Sequence, residues 1–285
     1  MSIPNLTLRC VAPDAVGILA GVTGFLAERG LNIAESHDYA APETARFFIR
    51  AEISPGKTPL DINRFTADFD ALATRFDMDW SLRSVAARPK TLILVSKADH
   101  CLNDLLYRQR RGRLAIDIAA IVSNHPDAKW HADRNDLPFV HIPVSRETKP
   151  AAEDRLRALI AETGAELIVL ARYMQVLSDE LCRDLAGRCI NIHHSFLPSF
   201  KGAKPYHQAF DRGVKLIGAS AHYVTADLDE GPIIAQQVEP IDHRATPAKM
   251  IAQGRDIEAR TLARAVAAHA EGRIFLNGAR TVVFE

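Results

Sequence analysis

The chain has 285 residues, of which 47% are hydrophobic and 25% charged, and its formal net charge is zero. This composition is globular and the length suits two domains, so extensive disorder is excluded. Without net charge the chain lacks the long-range field on which nucleic-acid and anionic-membrane binding depend, and neither partner is expected.

The four cysteines, Cys10, Cys101, Cys182 and Cys189, show no C-x-x-C spacing, which indicates free thiols. The amino-terminal sequence MSIPNLTLRC has no basic segment followed by an apolar core, and no apolar run is long enough to span a bilayer. We therefore expect a cytoplasmic protein.

The first part of the chain alternates short strands and helices. NLTLRCVA and ARFFIRAEIS have the alternating apolar residues of strands, and DMDWSLRSV is read as a last strand. Apolar residues recur at helical spacing in two stretches: Ile18, Val22, Phe25 and Leu26, ended by Gly30, and then Phe65, Phe69, Leu72 and Phe76. The order strand-helix-strand-strand-helix-strand predicts a small antiparallel sheet backed by two helices.

Residues 13–33, PDAVGILAGVTGFLAERGLNI, resemble the start of an ACT domain, a small amino-acid-sensing module. The resemblance covers residues 4–86 and implies a ferredoxin-like α+β regulatory domain over 1–86. It also implies an amino-acid site, commonly where two copies pair, at Asp14, Gly17, Ile18 and Asn32, and hence a homo-oligomer (dimer or tetramer). The alternative is that the glycines only allow close packing of helix on sheet. A dinucleotide site is not expected, because G-x-G-x-x-G is absent.

After a linker at 86–90 the pattern changes. TLILVS, LAIDIAAIVSN, FVHIPVS, ELIVLARY and CINIHHS are near-continuous apolar strands separated by helical stretches, which is typical of a parallel sheet covered on both faces. Ligands bind beyond the carboxyl ends of such strands, and NIHHS is one of those ends. The basic run RQRRGR at 108–113 is either a helix end favoured by the dipole or a docking patch for a polyanionic substrate tail.

Two histidines stand together at that strand end. Residues two apart share a face of a strand, so Asn191 and His193 point together while His194 points the other way. This argues against a joint metal site, and His207 and His222 form no recognisable zinc motif. A hydrolase of the Ser-His-Asp type, through Ser195 or Ser199, is disfavoured because G-x-S-x-G is absent.

NIHHSFLPSF at 191–200, followed by HYVT and LDEGPII within 218–234, resembles the formyltransferase family that uses 10-formyltetrahydrofolate. The resemblance covers about residues 90–285 and implies a Rossmann-like, mostly parallel-sheet catalytic domain, bounded at 87–285. It places the catalytic Asn, His and Asp of the family on Asn191, His193 and Asp229. The segment RYMQVLS and the loop 225–229 are similar to the walls of the pterin pocket of the family, which implies folate-binding residues Met174, Gln175, Val176, Leu177, Thr225, Ala226, Asp227 and Leu228.

These residue types suit attack on a formamide, which creates a tetrahedral oxyanion. Asn191 can donate a hydrogen bond to that oxygen, and protonated His193 can add a charge-assisted one. Asp229 can order a water, hold the imidazolium and take up the proton of the nucleophile. His222 is interpreted either as a supporting partner of this cluster or as a structural strand histidine. No cofactor and no metal are expected.

Members of this family pass the formyl group to a ribonucleotide amine, to methionyl-tRNA, to a sugar amine or to water. Transfer to the ribonucleotide uses a glycine-rich phosphate-binding turn after the first strand, but here VSKADHCLNDLL has no glycine and carries Asp99. The ACT-like domain together with NIHHSFLPSF and GAKPYHQAFDRGVK is similar to the members that use water. This implies hydrolysis of 10-formyltetrahydrofolate to tetrahydrofolate and formate, a supply of formate for purine synthesis and a balanced one-carbon pool.

Two alternatives stay open, namely transfer to an amine and an inactive amino-acid sensor.

At the rim of the cleft, Pro205 suits a helix start and Gly213 its end, so we expect Lys204, Tyr206 and His207 to lie at the entrance.

Overall fold

The structure of the protein is a computed structural model that describes residues 5–55, 60–197 and 205–285. The chain forms two compact units. One consists of the chain up to Ala87 together with Glu271–Gly278 and Val282–Glu285, and the other of Arg88–Ala270 with Ala279–Thr281.

The first unit has the predicted order of elements. They are β1 Leu6–Pro13, α1 Ile18–Glu28, β2 Leu31–Ala41, β3 Arg46–Pro55, α2 Ile62–Arg75 and β4 Asp79–Ser84. The four strands form one sheet in the order β2-β3-β1-β4, with every neighbouring pair antiparallel. Alternation buries Leu8 and Ile53 on the face that packs against Val22, Phe65 and Phe69 of the helices. The ferredoxin-like prediction is confirmed.

The end of the chain differs from the prediction, which assigned all of 87–285 to the second domain. Residues after Ala270 form β12 Ile274–Asn277 and β13 Arg280–Val283, and most of them belong to the first unit. The reason is the second face of β3, where Phe48 is fully buried against Phe275 and Phe284. Arg9 adds a hydrogen bond of 2.5 Å from its guanidinium to the Ile274 carbonyl.

The second unit is the predicted parallel sheet with helices. Its elements are β5 Lys90–Val95, α3 His100–Arg110, β6 Asp117–Ser123, α4 Lys129–Arg134, β7 Phe139–His141, α5 Lys149–Thr163, β8 Leu167–Leu170, α6 Asp179–Asp184, β9 Cys189–His193, α7 Pro205–Asp211, β10 Leu216–Tyr223, β11 Ile233–Pro240 and α8 Pro247–Ala270. The strand order is β11-β10-β9-β8-β5-β6-β7. Strands β9, β8, β5, β6 and β7 are parallel, whereas β10 and β11 run antiparallel to their neighbours.

The parallel strands other than β7 are largely buried on both faces, as their continuous apolar sequences predict. One face of β5 and β8, with Leu92 and Ile168, packs in a core cluster with Leu156 of α5 and Leu181 of α6. On the other side α3 packs against α8, and α8 against β10.

Several smaller expectations can be compared with the structure. All four cysteines are free and buried. Arg108 and Arg110 of the basic run lie in the last turn of α3, which favours the helix-end interpretation of that run. Within the described ranges, none of the helices combines the length and apolarity needed to cross a membrane.

Candidate active site

The centre of the site is a contact between a histidine of strand β9 and a carboxylate of the loop after β10. His193 is the last residue of β9, and its Nδ1 lies 3.1 Å from Oδ2 of Asp229. Asp229 can only accept, so His193 donates through Nδ1. Nε2 of His193 is buried and has no hydrogen-bond partner among the residues that the structure describes. That nitrogen is therefore available to a bound molecule.

Asn191 shares the strand face of His193 and completes the cluster. Its Nδ2 lies 3.5 Å from Oδ1 of Asp229 and 3.3 Å from Nε2 of His222. His222 is buried, and its Nδ1 donates to the Tyr223 carbonyl 2.9 Å away. The structure therefore brings together the three predicted catalytic residues and the predicted partner His222.

Hydrogen bonds from two histidines determine the protonation state of Asp229. Hydrogen bonds from His193, then from His222, lower the pKa of this carboxyl well below its ordinary value, against the opposing effect of burial. Asp229 is therefore ionised at neutral pH and is a weak proton acceptor.

The loop that carries Asp229 reaches the cluster by folding back. Because β10 is antiparallel to β9, the chain leaves the sheet beside the start of β9, where the Val224 N–H donates to the Cys189 carbonyl. Asp229 takes a positive φ of 58°. At Gly231 a Cβ atom would lie 1.7 Å from the Tyr223 carbonyl oxygen, so only glycine allows this close approach.

A cavity of about 260 Å³ opens over the cluster. It is lined by Asn191, His193, His222 and Asp229 and by seven of the eight predicted folate-binding residues: Met174, Gln175, Val176, Leu177, Thr225, Ala226 and Leu228. The eighth, Asp227, is exposed and is not among the lining residues. Its backbone carbonyl accepts a hydrogen bond from Thr225 Oγ1.

His194 also lines the cavity, which the sequence analysis did not predict. Strand β9 ends at His193, so the alternation of faces that predicted the opposite orientation for His194 no longer applies. The His193 and His194 rings lie 5.0 Å apart between centroids. Burial first, and then the charge of Arg172, lower the pKa of His194 to about 4.

Behind the cavity lies a buried charge network centred on Glu258 of α8. This carboxylate is 2% exposed and lies 2.9 Å from Nε2 of His100, 3.0 Å from Oη of Tyr206 and 3.3 Å from Nε of Arg172. Arg172 lines the cavity and has a positive φ of 63°, a conformation that costs a non-glycine residue about 1–3 kcal/mol.

The structure places one of the predicted rim residues, Tyr206, away from the rim. Tyr206 is buried against Glu258 rather than at an entrance, because its hydroxyl is the hydrogen-bond donor to that carboxylate. Lys204 falls outside the described residues, and His207 is exposed on α7. Helix α7 begins at Pro205, and Gly213 takes a positive φ, as predicted.

Polar side chains of the turn after β5 already have hydrogen-bond partners within the protein. Ser96 Oγ donates to Asn124 and accepts from the Met174 N–H, and Asp99 lies 2.9 Å from the buried Nε2 of His131. These partners bind this turn to the protein and place a carboxylate where a phosphate would need donors.

His100, Cys101 and Glu258 form a group whose donor atoms lie within 4.8 Å of one another. The chemistry of these donors does not favour a metal. Burial and the nearby Glu258 raise the pKa of Cys101 well above its ordinary value, so its thiol stays protonated. The cation Arg172 already pairs with Glu258.

Three of the predicted regulatory residues, Asp14, Gly17 and Ile18, lie around the start of α1, whereas Asn32 lies in β2, where it pairs with Ser54 of β3. Gly17 takes a φ of 95° immediately before the helix, and the Asp14 N–H donates to the Ala45 carbonyl. Asp14 and Asn32 are exposed, but the Ile18 side chain is buried in the core of the first unit. Only the backbone of Ile18 can therefore face a ligand.

The sequence profile of the family described as Formyl transferase matches residues 89–266. With this fold and this Asn-His-Asp cluster, the chain belongs to the formyl transferase family. Formyltetrahydrofolate deformylase from Corynebacterium sp. (strain P-1) is 52% identical over 98% of this chain and 96% of its own length. The chain therefore belongs, within that family, to the formyltetrahydrofolate deformylases.

Two solved structures differ in how much of this chain they match. The crystal structure of formyltetrahydrofolate deformylase from Burkholderia mallei ATCC 23344 is 51% identical, with a TM-score of 0.95, and covers 99% of this chain and 100% of its own. Glycinamide ribonucleotide transformylase 1 from Symbiobacterium toebii is 29% identical, with a TM-score of 0.65, over 70% of this chain and 95% of its own. The likeness to the deformylase thus extends over both units.

Proposed function

We propose that the protein hydrolyses 10-formyltetrahydrofolate to tetrahydrofolate and formate. The observation that carries this proposal is the buried Nε2 of His193, held toward the cavity by Asp229 and left without a partner among the described residues. When His193 is protonated, this nitrogen can donate to a formyl oxygen in the cavity and so form the hydrogen bond that it lacks.

The reaction adds water across the bond between the formyl carbon and N10. The water oxygen bonds to the carbon, the C–N10 bond breaks, N10 takes one proton, and the second proton leaves as formic acid ionises to formate. When protonated, His193 donates through Nε2 to the oxyanion, and Asn191 donates through Nδ2. Asp229 holds the imidazolium. Because the pKa of Asp229 is low, the proton of the attacking water is taken up by another water or by neutral His193.

Seven residues from 174–177 and 225–228 would form the walls around the folate. The donors present are an amide, two imidazoles and a carboxylate that are already bonded to one another. We therefore propose catalysis by these side chains without a cofactor or a metal.

In the wider setting, the proposed reaction supplies formate for purine (IMP) biosynthesis and balances the one-carbon pool. We place the protein in the cytoplasm, in keeping with four free buried thiols. The first unit would regulate the reaction by binding an amino acid near Asp14 and Gly17, where copies of the chain pair in a homo-oligomer.

The test is a product assay with purified protein and 10-formyltetrahydrofolate, with and without glycinamide ribonucleotide at millimolar concentration. We expect tetrahydrofolate and formate in equal amounts, an unchanged rate with the amine and no formylated amine. Stoichiometric formylation of the amine with little free formate would refute the proposal and support transfer.

A further inference from the structure

Holding the attacking water is a separate task, for which the sequence suggested Asp229. Asn191 and His193 are donors that suit the oxyanion. Asp229 already has His193 at Oδ2, and Asn191 and His222 at Oδ1. An attacking water needs a hydrogen-bond acceptor, because the hydrogen bond orients the lone pair of the water oxygen toward the formyl carbon. Such orientation accounts for a large part of the rate enhancement.

His194 offers such an acceptor within the same cavity. It follows the catalytic strand directly, lines the same cavity, and its ring is 5.0 Å from that of His193. Outside the catalytic cluster, the other lining side chains with an amide or hydroxyl acceptor are Tyr173, Gln175 and Thr225, and they belong to or adjoin the two segments proposed to enclose the folate. His194 is the lining acceptor that the structure puts in ring contact with His193.

The surroundings of His194 keep it an acceptor. Its low pKa, caused first by burial and then by Arg172 and His193, leaves the imidazole neutral, and a neutral imidazole has one ring nitrogen with a free lone pair. A protonated His194 would have two donors and could not accept from a water.

The buried network behind His194 accounts for the position of Arg172. Glu258 holds Arg172 at 3.3 Å, and Tyr206, which binds the same carboxylate, lies 6.4 Å from the His194 ring. Arg172 adopts a strained backbone conformation, and its partly buried guanidinium carries the charge that disfavours a second cation at His194.

We propose that His194 is a further catalytic residue, which accepts a hydrogen bond from the attacking water and holds that water beside the oxyanion donors. This inference rests on the proposed hydrolysis. In this proposal His194 determines that water receives the formyl group, and Asn191 and His193 activate the formyl group.

The experiment compares His194→Phe, which keeps a ring without an acceptor, with His194→Gln, which keeps an acceptor. Formate and tetrahydrofolate are both measured, with and without saturating hydroxylamine, a small nucleophile that does not need a held water. Circular dichroism and thermal unfolding verify that both variants are folded, and a reaction without protein corrects for the direct attack of hydroxylamine.

We expect the kcat for formate release to fall about 100-fold in His194→Phe, with KM within about threefold of the unmodified protein. His194→Gln should recover most of that loss. In hydroxylamine, His194→Phe should release tetrahydrofolate at close to the rate of the unmodified protein.

Formate release by folded His194→Phe at the unmodified rate would overturn the proposal. So would an equal loss of the hydroxylamine reaction, because His194 would then support the whole site rather than the water. If the unmodified protein released tetrahydrofolate only with hydroxylamine and never produced formate, the proposed function itself would fail.

Discussion

Asp229 is a largely buried loop carboxylate that stays charged. Hydrogen bonds from His193 and His222 both lower its pKa, and together they outweigh burial, which raises it. A carboxyl whose folded pKa is lowered contributes stability above its ordinary pKa and loses it as the pH falls toward the folded value. The carboxylate that faces His193 is therefore ionised throughout the neutral range.

Replacing Asp229 with Asn should remove most of the turnover. The amide keeps the size of the side chain but not the charge that fixes the Nδ1–H of His193, so we expect a loss of about 100- to 10,000-fold in kcat. Folate binding, measured by calorimetry, should change little. Asp227→Asn is the matched control, because Asp227 is exposed and outside the cavity. A large loss in the control, with normal turnover in Asp229→Asn, would show that the other carboxylate acts.

His194 should make the protein sensitive to moderate acid. Its pKa falls from 6.5 to about 4 on folding, so between these values the unfolded chain binds the proton and the folded chain does not. Stability is therefore lost as the pH falls through this window, by about 1–2 kcal/mol between pH 7 and pH 5. Urea unfolding of the unmodified protein and His194→Gln at both values measures this, and an equal loss in the two proteins would contradict it.

Among single residues, the sequence predicted the parts of the site that depend on local pattern. Asn191, His193, His222 and Asp229 do lie together. His194 was missed because strand alternation was extended one residue past the end of β9. Tyr206 was misplaced because nothing in its own segment indicates the buried Glu258, 52 residues away.

At the scale of elements, the antiparallel strand β10 and its return loop determine where Asp229 lies. Gly231→Ala should disturb this loop, since the new Cβ would overlap the Tyr223 carbonyl and the backbone must move. We expect a destabilisation of about 1–3 kcal/mol and a large loss of formate release. Gly24→Ala in α1 is the control, because its Cβ meets nothing within 4 Å. Full activity in Gly231→Ala would show that the close approach does not position Asp229.

Helices α3 and α8 bring His100, Cys101 and Glu258 together without making a good metal site. A protonated thiol and a carboxylate paired with Arg172 are poor ligands. Formate release should therefore survive exhaustive chelation unchanged, with elemental analysis showing that the metal has been removed. Activity that is lost on chelation and restored by zinc would refute this.

The elements themselves were largely predictable, because the two periodicities are strong. The antiparallel sheet of the first unit and the parallel strands of the second follow from alternating and continuous apolar runs, respectively. The last strands were not predictable as part of the first unit. Phe275 and Phe284 meet Phe48 across more than 200 residues, and a local pattern carries no information about such a partner.

At the scale of the whole molecule, the first unit is expected to sense an amino acid and to join copies of the chain. Calorimetry against the common amino acids should detect one that binds, with a matching change in the rate of formate release, and Asp14→Ala should weaken the binding. Light scattering should give a dimer or a tetramer. If none of the amino acids bound, a regulatory role would be refuted, and a monomer would refute the pairing.

The closing of the first unit by residues 271–278 and 282–285 has a consequence for synthesis on the ribosome. Strand β3 is made early, but the aromatic cover of Phe48 follows only after residues 88–270, roughly 10 to 40 s later at ordinary elongation rates. Until then, the nascent first unit exposes an apolar sheet face to chaperones and to neighbouring chains. The same unit expressed from residues 1–87 alone would keep that face exposed permanently, so a soluble fragment needs the distant residues 271–285 joined to it.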